Sequence, residues 1–227
     1  MTERETPSVD GLVIGILGGT GDQGRGLARR FALAGHEVII GSRSPERGAV
    51  AALEIGHGVR GLANRDAAGQ ASVVIAAVPW EGHGDLLTGL AAELAGKIVV
   101  DCVNPLGFDQ RGAYALPVAE GGPAEGSAAQ QAAALLPGTR VVAAFHHVSA
   151  ILLLDPEVDT IDLDVMVLGD DRKATDLVQA LAARIPGVRG IYAGRLRNCG
   201  QIEALTANLV SINRRYKAHA GLRVTDI

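Results

Sequence analysis

The chain is expected to form an α/β fold, a doubly wound parallel sheet of Rossmann type followed by a small C-terminal α/β unit that ends in a long helix. Three observations predict it. Short apolar runs alternate with helix-like segments along most of the 227 residues. The first run leads directly into a glycine-rich turn and a helix. After Asp155-Pro156 the alternation resumes on a smaller scale, which divides the chain into residues 1–154 and 155–227.

Residues 12–17 are apolar and uncharged, as a strand buried on both faces requires. Leu27, Phe31 and Ala34 then fall on one helical face. A second strand is expected at 37–40, followed by a helix with Ser44 as N-cap and Pro45 in its first position. Further strands are expected near 59–62, at 73–77, 98–101 and 141–144, with helices over 85–94 and 128–136. Residues 104–127, rich in Gly, Pro and Ala, are too long for an ordinary connection and read as a mobile lid or a surface excursion. The second unit follows with a strand at 164–168, a helix at 172–183, a strand at 188–192 and a final helix over 201–219. In that helix Ile202, Leu205, Leu209 and Ile212 recur at helical spacing, so one face should dock on the first unit or on a second subunit.

Composition excludes several classes. A net charge of −4 provides no basic field for nucleic acid. Residues 1–10 are polar and resemble neither signal peptide nor anchor, and no apolar run approaches the roughly eighteen residues that span a bilayer. Cys102 and Cys199 match no metal or redox spacing. These features predict a soluble cytoplasmic protein with no metal, no membrane association and small-molecule partners.

Gly19-Thr20-Gly21-Asp22-Gln23-Gly24 fits G-x-G-x-x-G between a strand and a helix, the context in which backbone N–H groups cradle a pyrophosphate. A side chain at Gly21 should obstruct that approach. In a chain with 30 glycines this turn alone is a weak signal. It is strengthened by Gly41-Ser42-Arg43, about twenty residues further on, where the ribose-binding group belongs. No Asp or Glu occupies that strand end. Ser42 and Arg43, with Arg47 one turn into the next helix, offer donors to a 2′-phosphate and so select NADP over NAD. Charge-assisted contacts contribute about 1.5–3 kcal/mol each, so two favour NADP by roughly a hundredfold.

Ligands of open α/β sheets lie beyond the carboxyl ends of the strands, and three loops there carry unusual residues. Val78-Pro79-Trp80 contains the single tryptophan, which serves either to bound a flat ring or as a structural anchor. Asn104 before Pro105 can contact a ligand or form an Asx-type turn. His146 and His147 end the sixth strand; adjacent histidines rarely share a metal, so His146 reads as a polar wall of a second pocket, with His147 facing the other way. No catalytic side chain is evident: no triad and no carboxylate pair appear in these loops.

Together, residues 16–24, Gly35-His36-Glu37-Val38, Gly41-Ser42-Arg43, Val78-Pro79-Trp80 and residues 146–150 resemble the coenzyme F420-dependent NADP oxidoreductases, over nearly the whole chain. The resemblance implies hydride transfer between NADP(H) and a deazaflavin. It implies that Thr20 to Gln23 meet the pyrophosphate and that Ser42, Arg43 and Arg47 meet the 2′-phosphate. Val78, Pro79, Trp80, Asn104 and Ala150 would flank the nicotinamide, and His146 and Val148 would line the deazaflavin site. A homodimer is implied as well. Ser149 and His147 depart from some members, which bears on the shape of that pocket. Alternative readings are an NADPH-linked reductase of an ordinary flavin, imine or ketone, and a non-catalytic NADPH-sensing module.

Overall fold

A computed structural model describes residues 7–227, so the first six residues of the polar N-terminal stretch lie outside the described residues. The strands are β1 (Val13–Leu17), β2 (Glu37–Ser42), β3 (Arg60–Ala63), β4 (Val73–Ala76), β5 (Ile98–Asp101), β6 (Leu106–Asp109), β7 (Gly112–Ala115), β8 (Arg140–Ala143), β9 (Leu163–Gly169) and β10 (Val188–Gly194). The helices are α1 (Asp22–Leu33), α2 (Pro45–Ile55), α3 (Asn64–Gln70), α4 (His83–Gly89), α5 (Ala91–Leu94), α6 (Ala128–Leu135), α7 (Ala150–Leu154), α8 (Arg172–Ala182) and α9 (Cys199–Tyr216).

Eight strands form one sheet in the order β10-β9-β8-β5-β4-β1-β2-β3. The chain runs outward from β1 to β3, then returns to β4 on the other side of β1. The switch point, where ligands bind in such sheets, therefore lies between β1 and β4. Alternate residues bury both faces: Ile14, Ile16, Ile75 and Val100 pack on one side, Ile39, Val74, Val99 and Val141 on the other. This explains why the strands read as unbroken apolar runs.

Four strand ends lie level. Leu17 pairs with Ala76, Ala76 with Asp101, and Asp101 with Ala143. The glycine turn and the loops beginning at residues 77, 102 and 144 consequently leave the sheet side by side.

The C-terminal strands β9 and β10 continue this same sheet, joined antiparallel to β8 through Val142–Gly169 and Ala143–Leu168. Val165 and Val167 of β9 and Val188 of β10 share one buried cluster with Ile14, Phe145 and Leu153, so the core runs unbroken across residues 154 and 155. The sheet is thus mostly parallel, with one antiparallel seam where residues 144–162 reverse the chain.

One local expectation is corrected and another is made specific. The helix expected over 85–94 is two, α4 and α5, because Gly89 ends the first and Leu90 leaves helical geometry at φ −115°, ψ 11°. Residues 104–127 contain an antiparallel hairpin, β6–β7, which packs on α9. Its turn is set by Asp109, whose Oδ1 accepts from the N–H of Arg111 at 2.7 Å and of Gly112 at 3.1 Å.

Helix α7 is clamped to α1. A Cβ at Gly26 would stand 2.5 Å from Leu153 Cβ, so only glycine allows this approach. The buried Arg30 guanidinium donates to the carbonyls of Leu153 at 2.9 Å, Val158 at 2.6 Å, Leu152 at 2.5 Å and Asp155 at 3.2 Å. Burial lowers its pKa, and the converging carbonyls supply the acceptors that a buried cation needs.

Candidate active site

The glycine turn is held by contacts that reveal what each glycine does. Gly18 has φ +67°, and a Cβ there would lie 2.2 Å from Val78 Cγ1. Gly19 donates to the Gly41 carbonyl at 3.1 Å, and a Cβ on it would meet Ile40 Cγ2 at 2.7 Å. A Cβ on Gly24 would meet Gly19 Cα at 2.6 Å. Gly21, in contrast, adopts φ −82°, and its Cβ would find only Gly18 O, 4.0 Å away. Packing demands Gly19 and Gly24, whereas the space over Gly21 is open. That is the arrangement expected where an anion rests on backbone at a helix N-terminus. Thr20 is half-buried and Asp22 begins α1 in the exposed first turn. The Gln23 amide donates to Phe145 O at 3.1 Å, so its side chain ties α1 to the loop after β8.

At the end of β2, Ser42 is buried and its Oγ accepts from Ser44 N–H at 3.2 Å. Ser44 caps α2 by accepting from Arg47 N–H at 3.3 Å, with Pro45 in the first position as expected. The side chains of Arg43 and Arg47 are exposed and make no hydrogen bond or ion pair among the described residues. Two free guanidiniums beside a strand end without a carboxylate can receive a phosphate.

Across the switch point, Trp80 is half-buried beyond the exposed Pro79 and the half-buried Val78. Its indole Nε1 donates to Gly121 O at 2.8 Å, and its ring centroid lies 5.5 Å from that of His83. Beside it opens a cleft of about 620 Å³ bounded by Trp80, Leu106, Phe108, Leu116, Gly121 and Gln131. Asn104 Nδ2 donates to His146 O at 2.8 Å, and the Thr206 hydroxyl on α9 reaches the same carbonyl at 3.2 Å. The Asx-type turn weighed for Asn104 is made instead by Asp101, whose Oδ1 accepts from Val103 N–H at 3.0 Å.

The loop after β8 is fixed from three sides, by Gln23, Asn104 and Thr206. Phe145 is held at φ +65°, unusual for a bulky residue, with its ring edge-on to Phe31 at 6.0 Å. His146 is 3% exposed, its ring nitrogens have no hydrogen-bond partner among the described residues, and burial pushes its pKa down to about 4. It is neutral at physiological pH. His147 faces β9, where Nε2 accepts from Met166 N–H at 3.4 Å, and burial likewise lowers its pKa to about 4. Val148 is buried and Ala150 half-buried at the start of α7.

Sequence reasoning missed several side chains that hold these loops. Asn64, at the start of α3, accepts from Gly18 N–H at 3.3 Å. His83, Asp101 and Gln131 form a buried chain: His83 Nε2 lies 2.6 Å from Asp101 Oδ2, and Nδ1 lies 3.0 Å from Gln131 Oε1. Glu203 of α9 accepts from Ala128 N–H at 2.9 Å and Ala129 N–H at 3.2 Å, joining α9 to the start of α6. Burial, with the nearby Asp101 charge, pushes the Glu203 pKa up to about 7. The partners in these contacts are 18 to 75 residues apart, a separation that leaves no local signal in the sequence.

The site thus offers an anion cradle, two free arginines and a ring-sized wall, with no side-chain nucleophile among them. This suits a reaction between two bound coenzymes more than one needing a protein acid or base. Comparison with known proteins agrees. The family described as NADP oxidoreductase, coenzyme F420-dependent, matches residues 13–105. The chain is 40% identical to the F420-dependent NADP reductase of Methanothermobacter thermautotrophicus over 226 residues, covering 95% of this chain and 96% of that protein. It is 41% identical to the enzyme of the same name from Methanothermobacter marburgensis, covering 95% and 99%. A crystal structure of a putative F420-dependent NADP reductase from Arthrobacter sp. FB24 superposes with a TM-score of 0.81 at 28% identity, covering 95% of this chain and all of that one. With its cradle, its strand-end arginines and this likeness end to end, the chain belongs to the family of F420-dependent NADP reductases.

Proposed function

We propose that the protein is an oxidoreductase transferring a hydride directly between NADP(H) and coenzyme F420, on the support of its family relatives. The observation that carries the reading is the level row of strand ends. It sets the open cradle at Gly21 beside the loops of Trp80, Asn104 and His146. When bound, the two coenzymes supply the redox chemistry, a hydride passing between nicotinamide C4 and deazaflavin C5 with a proton exchanged with solvent.

The chain's own residues bind and orient. Thr20, Gly21, Asp22 and Gln23 present the α1 N-terminus to the pyrophosphate, and Gly19 lets β1 and β2 approach beneath it. Ser42, Arg43 and Arg47 receive the 2′-phosphate. Val78, Pro79, Trp80, Asn104 and Ala150 bound the nicotinamide, and the neutral His146 with Val148 walls the deazaflavin. Residues 1–154 hold NADP in this reading, and 155–227 complete the acceptor pocket and the contact of a homodimer. Exposed Ile212 and Tyr216 support that contact, being large apolar groups on the exposed last turns of α9. Two free buried thiols, Cys102 and Cys199, fit a reducing cytoplasm. Among the described residues no helix is long and apolar enough to cross a membrane.

The test is anaerobic absorbance at the oxidised deazaflavin band with purified protein, coenzyme F420 and either NADPH or NADH. Bleaching with NADPH and much less with NADH is expected. Tight NADPH binding without bleaching would instead favour another acceptor, such as a flavin, imine or ketone, or a sensor of NADPH.

A further inference from the structure

We propose that His83 and Asp101 form a buried ion pair that positions the walls of the hydride-transfer site, Trp80 on one side and Asn104 with the His146 carbonyl on the other. The inference rests on the hydride-transfer reading above. Neither residue reaches the space over the cradle: both side chains are fully buried, which makes them positioning residues.

Asp101 stands where the two walls meet. As the last residue of β5 it pairs with Ala76 of β4 and Ala143 of β8, the strands from which the Trp80 and His146 loops depart. One carboxylate oxygen takes the imidazole of His83, on whose face Trp80 leans with 30° between the ring planes. The other takes Val103 N–H, one residue before Asn104. A single carboxylate therefore fixes both the ring behind Trp80 and the turn that aims Asn104 at His146 O.

Nε2 faces Asp101 Oδ2 at 2.6 Å and Nδ1 faces the Gln131 side-chain amide at 3.0 Å, whose oxygen accepts from the ring when it is an imidazolium. Burial opposes that charge. The hydrogen bond and charge of Asp101 on β5, with lesser help from Gln131 on α6 and Glu203 on α9, outweigh it and raise the His83 pKa. A buried ion pair contributes little net stability compared with apolar residues of similar shape, which makes geometry the better account of its presence. Burial here fixes direction: a 2.6 Å charge-assisted bond admits less rotation of α4 than apolar packing would.

Two variants and the single tryptophan test this. His83→Gln combined with Asp101→Asn removes both charges while keeping an amide pair able to hydrogen-bond. Its kcat for deazaflavin reduction should fall by about ten- to a hundredfold, the scale of small misplacements at a reacting centre. The KM for NADPH should stay within about threefold, because the phosphate contacts are made elsewhere. Trp80 emission, read in the free protein at pH 7, should rise because the quenching imidazolium is gone. A double variant with wild-type kcat and unchanged emission would overturn the proposal. Should that variant not fold, the wild-type chain decides: any pH transition in its Trp80 emission should have its midpoint above the ordinary histidine value. A transition near the ordinary histidine value of about 6.5 would show His83 titrating without its partner and would sink the idea. Failure of the wild-type protein to bleach coenzyme F420 would instead overturn the hydride-transfer reading, and the emission result would stand apart from it.

Discussion

The side-chain amide of Gln23 donates to the backbone carbonyl of Phe145 at 3.1 Å across 122 positions of sequence. It fastens the first turn of α1, the helix proposed to meet the pyrophosphate, to the loop bearing His146, and it does so at a residue held at φ +65°. The glycine turn and the loop after β8 are thereby tied directly to each other. Gln23→Ala should cost about 1 kcal/mol, the usual worth of one such bond. For a chain of this size that is a fall of about 2–4 °C in Tm by calorimetry. NADPH affinity should change less than about threefold, since residue 23 reaches phosphate through its backbone, while the KM for coenzyme F420 should rise.

Gly21→Ala and Gly24→Ala should separate binding from folding. A methyl at Gly21 meets no protein atom closer than 4.0 Å, so Tm should hold while NADPH affinity falls by about tenfold or more, measured by calorimetric titration. A methyl at Gly24 stands 2.6 Å from Gly19 Cα and should lower Tm outright. Equal NADPH affinity in Gly21→Ala and wild type would remove the cradle from the site.

Arg43→Ala and Arg47→Ala should each lower the ratio of NADPH to NADH efficiency by roughly tenfold or more, as expected for one charge-assisted phosphate contact. Neither side chain has a partner to lose among the described residues, so Tm should not change. Steady-state kinetics with both nucleotides gives the answer directly.

His146→Ala should raise the KM for coenzyme F420 more than that for NADPH. The imidazole is buried with no hydrogen-bond partner for its ring nitrogens, while the Asn104 and Thr206 contacts to residue 146 go through its carbonyl and survive the change. An unchanged deazaflavin KM would exclude the ring from that pocket.

Stability should peak near pH 6.5. His146 and His147 are pushed down to about 4, so the unfolded chain binds more protons than the folded one between about 4 and 6.5, and stability is lost as pH falls through that window. Glu203, pushed up to about 7, acts oppositely: its contribution is present at acid pH and lost as pH rises from its ordinary value through 7. With two histidines against one carboxyl, the acid slope wins below about 6.5; above it, Glu203 and the raised pKa of His83 both turn the curve downward. Urea midpoints from pH 4 to pH 8 should trace this maximum, and Glu203→Gln should flatten its alkaline side.

The strands around the switch point were legible because burial on both faces leaves no polar residue to confuse the reading, as in Ile14 to Leu17 and Val73 to Ala76. Ser44-Pro45 and the glycine turn were legible because capping and close approach act on neighbouring residues. The antiparallel seam at β8–β9 was not, since direction within a sheet depends on how the 144–162 connection folds back and leaves no periodic trace. Nor were His83 and Asp101: each alone reads as an ordinary polar residue, and only the fold brings them to 2.6 Å. Leu90 illustrates the remaining kind of miss, where apolar spacing suited a helix but a terminal Gly89 and a non-helical backbone interrupted it.

If the proposed sites hold, the switch point between β1 and β4 also divides the labour of selection along the rim of the sheet. In the proposed reading the residues that would choose NADP over NAD, at 41–47, lie on the β2 side, and the loops of 78–80, 104 and 145–150 lie on the other. Random changes in one set need not disturb the other, so new acceptors can be explored by a lineage, or by a protein engineer, while nucleotide preference is inherited intact. Gln23 marks the limit of that modularity, because its amide spans the divide.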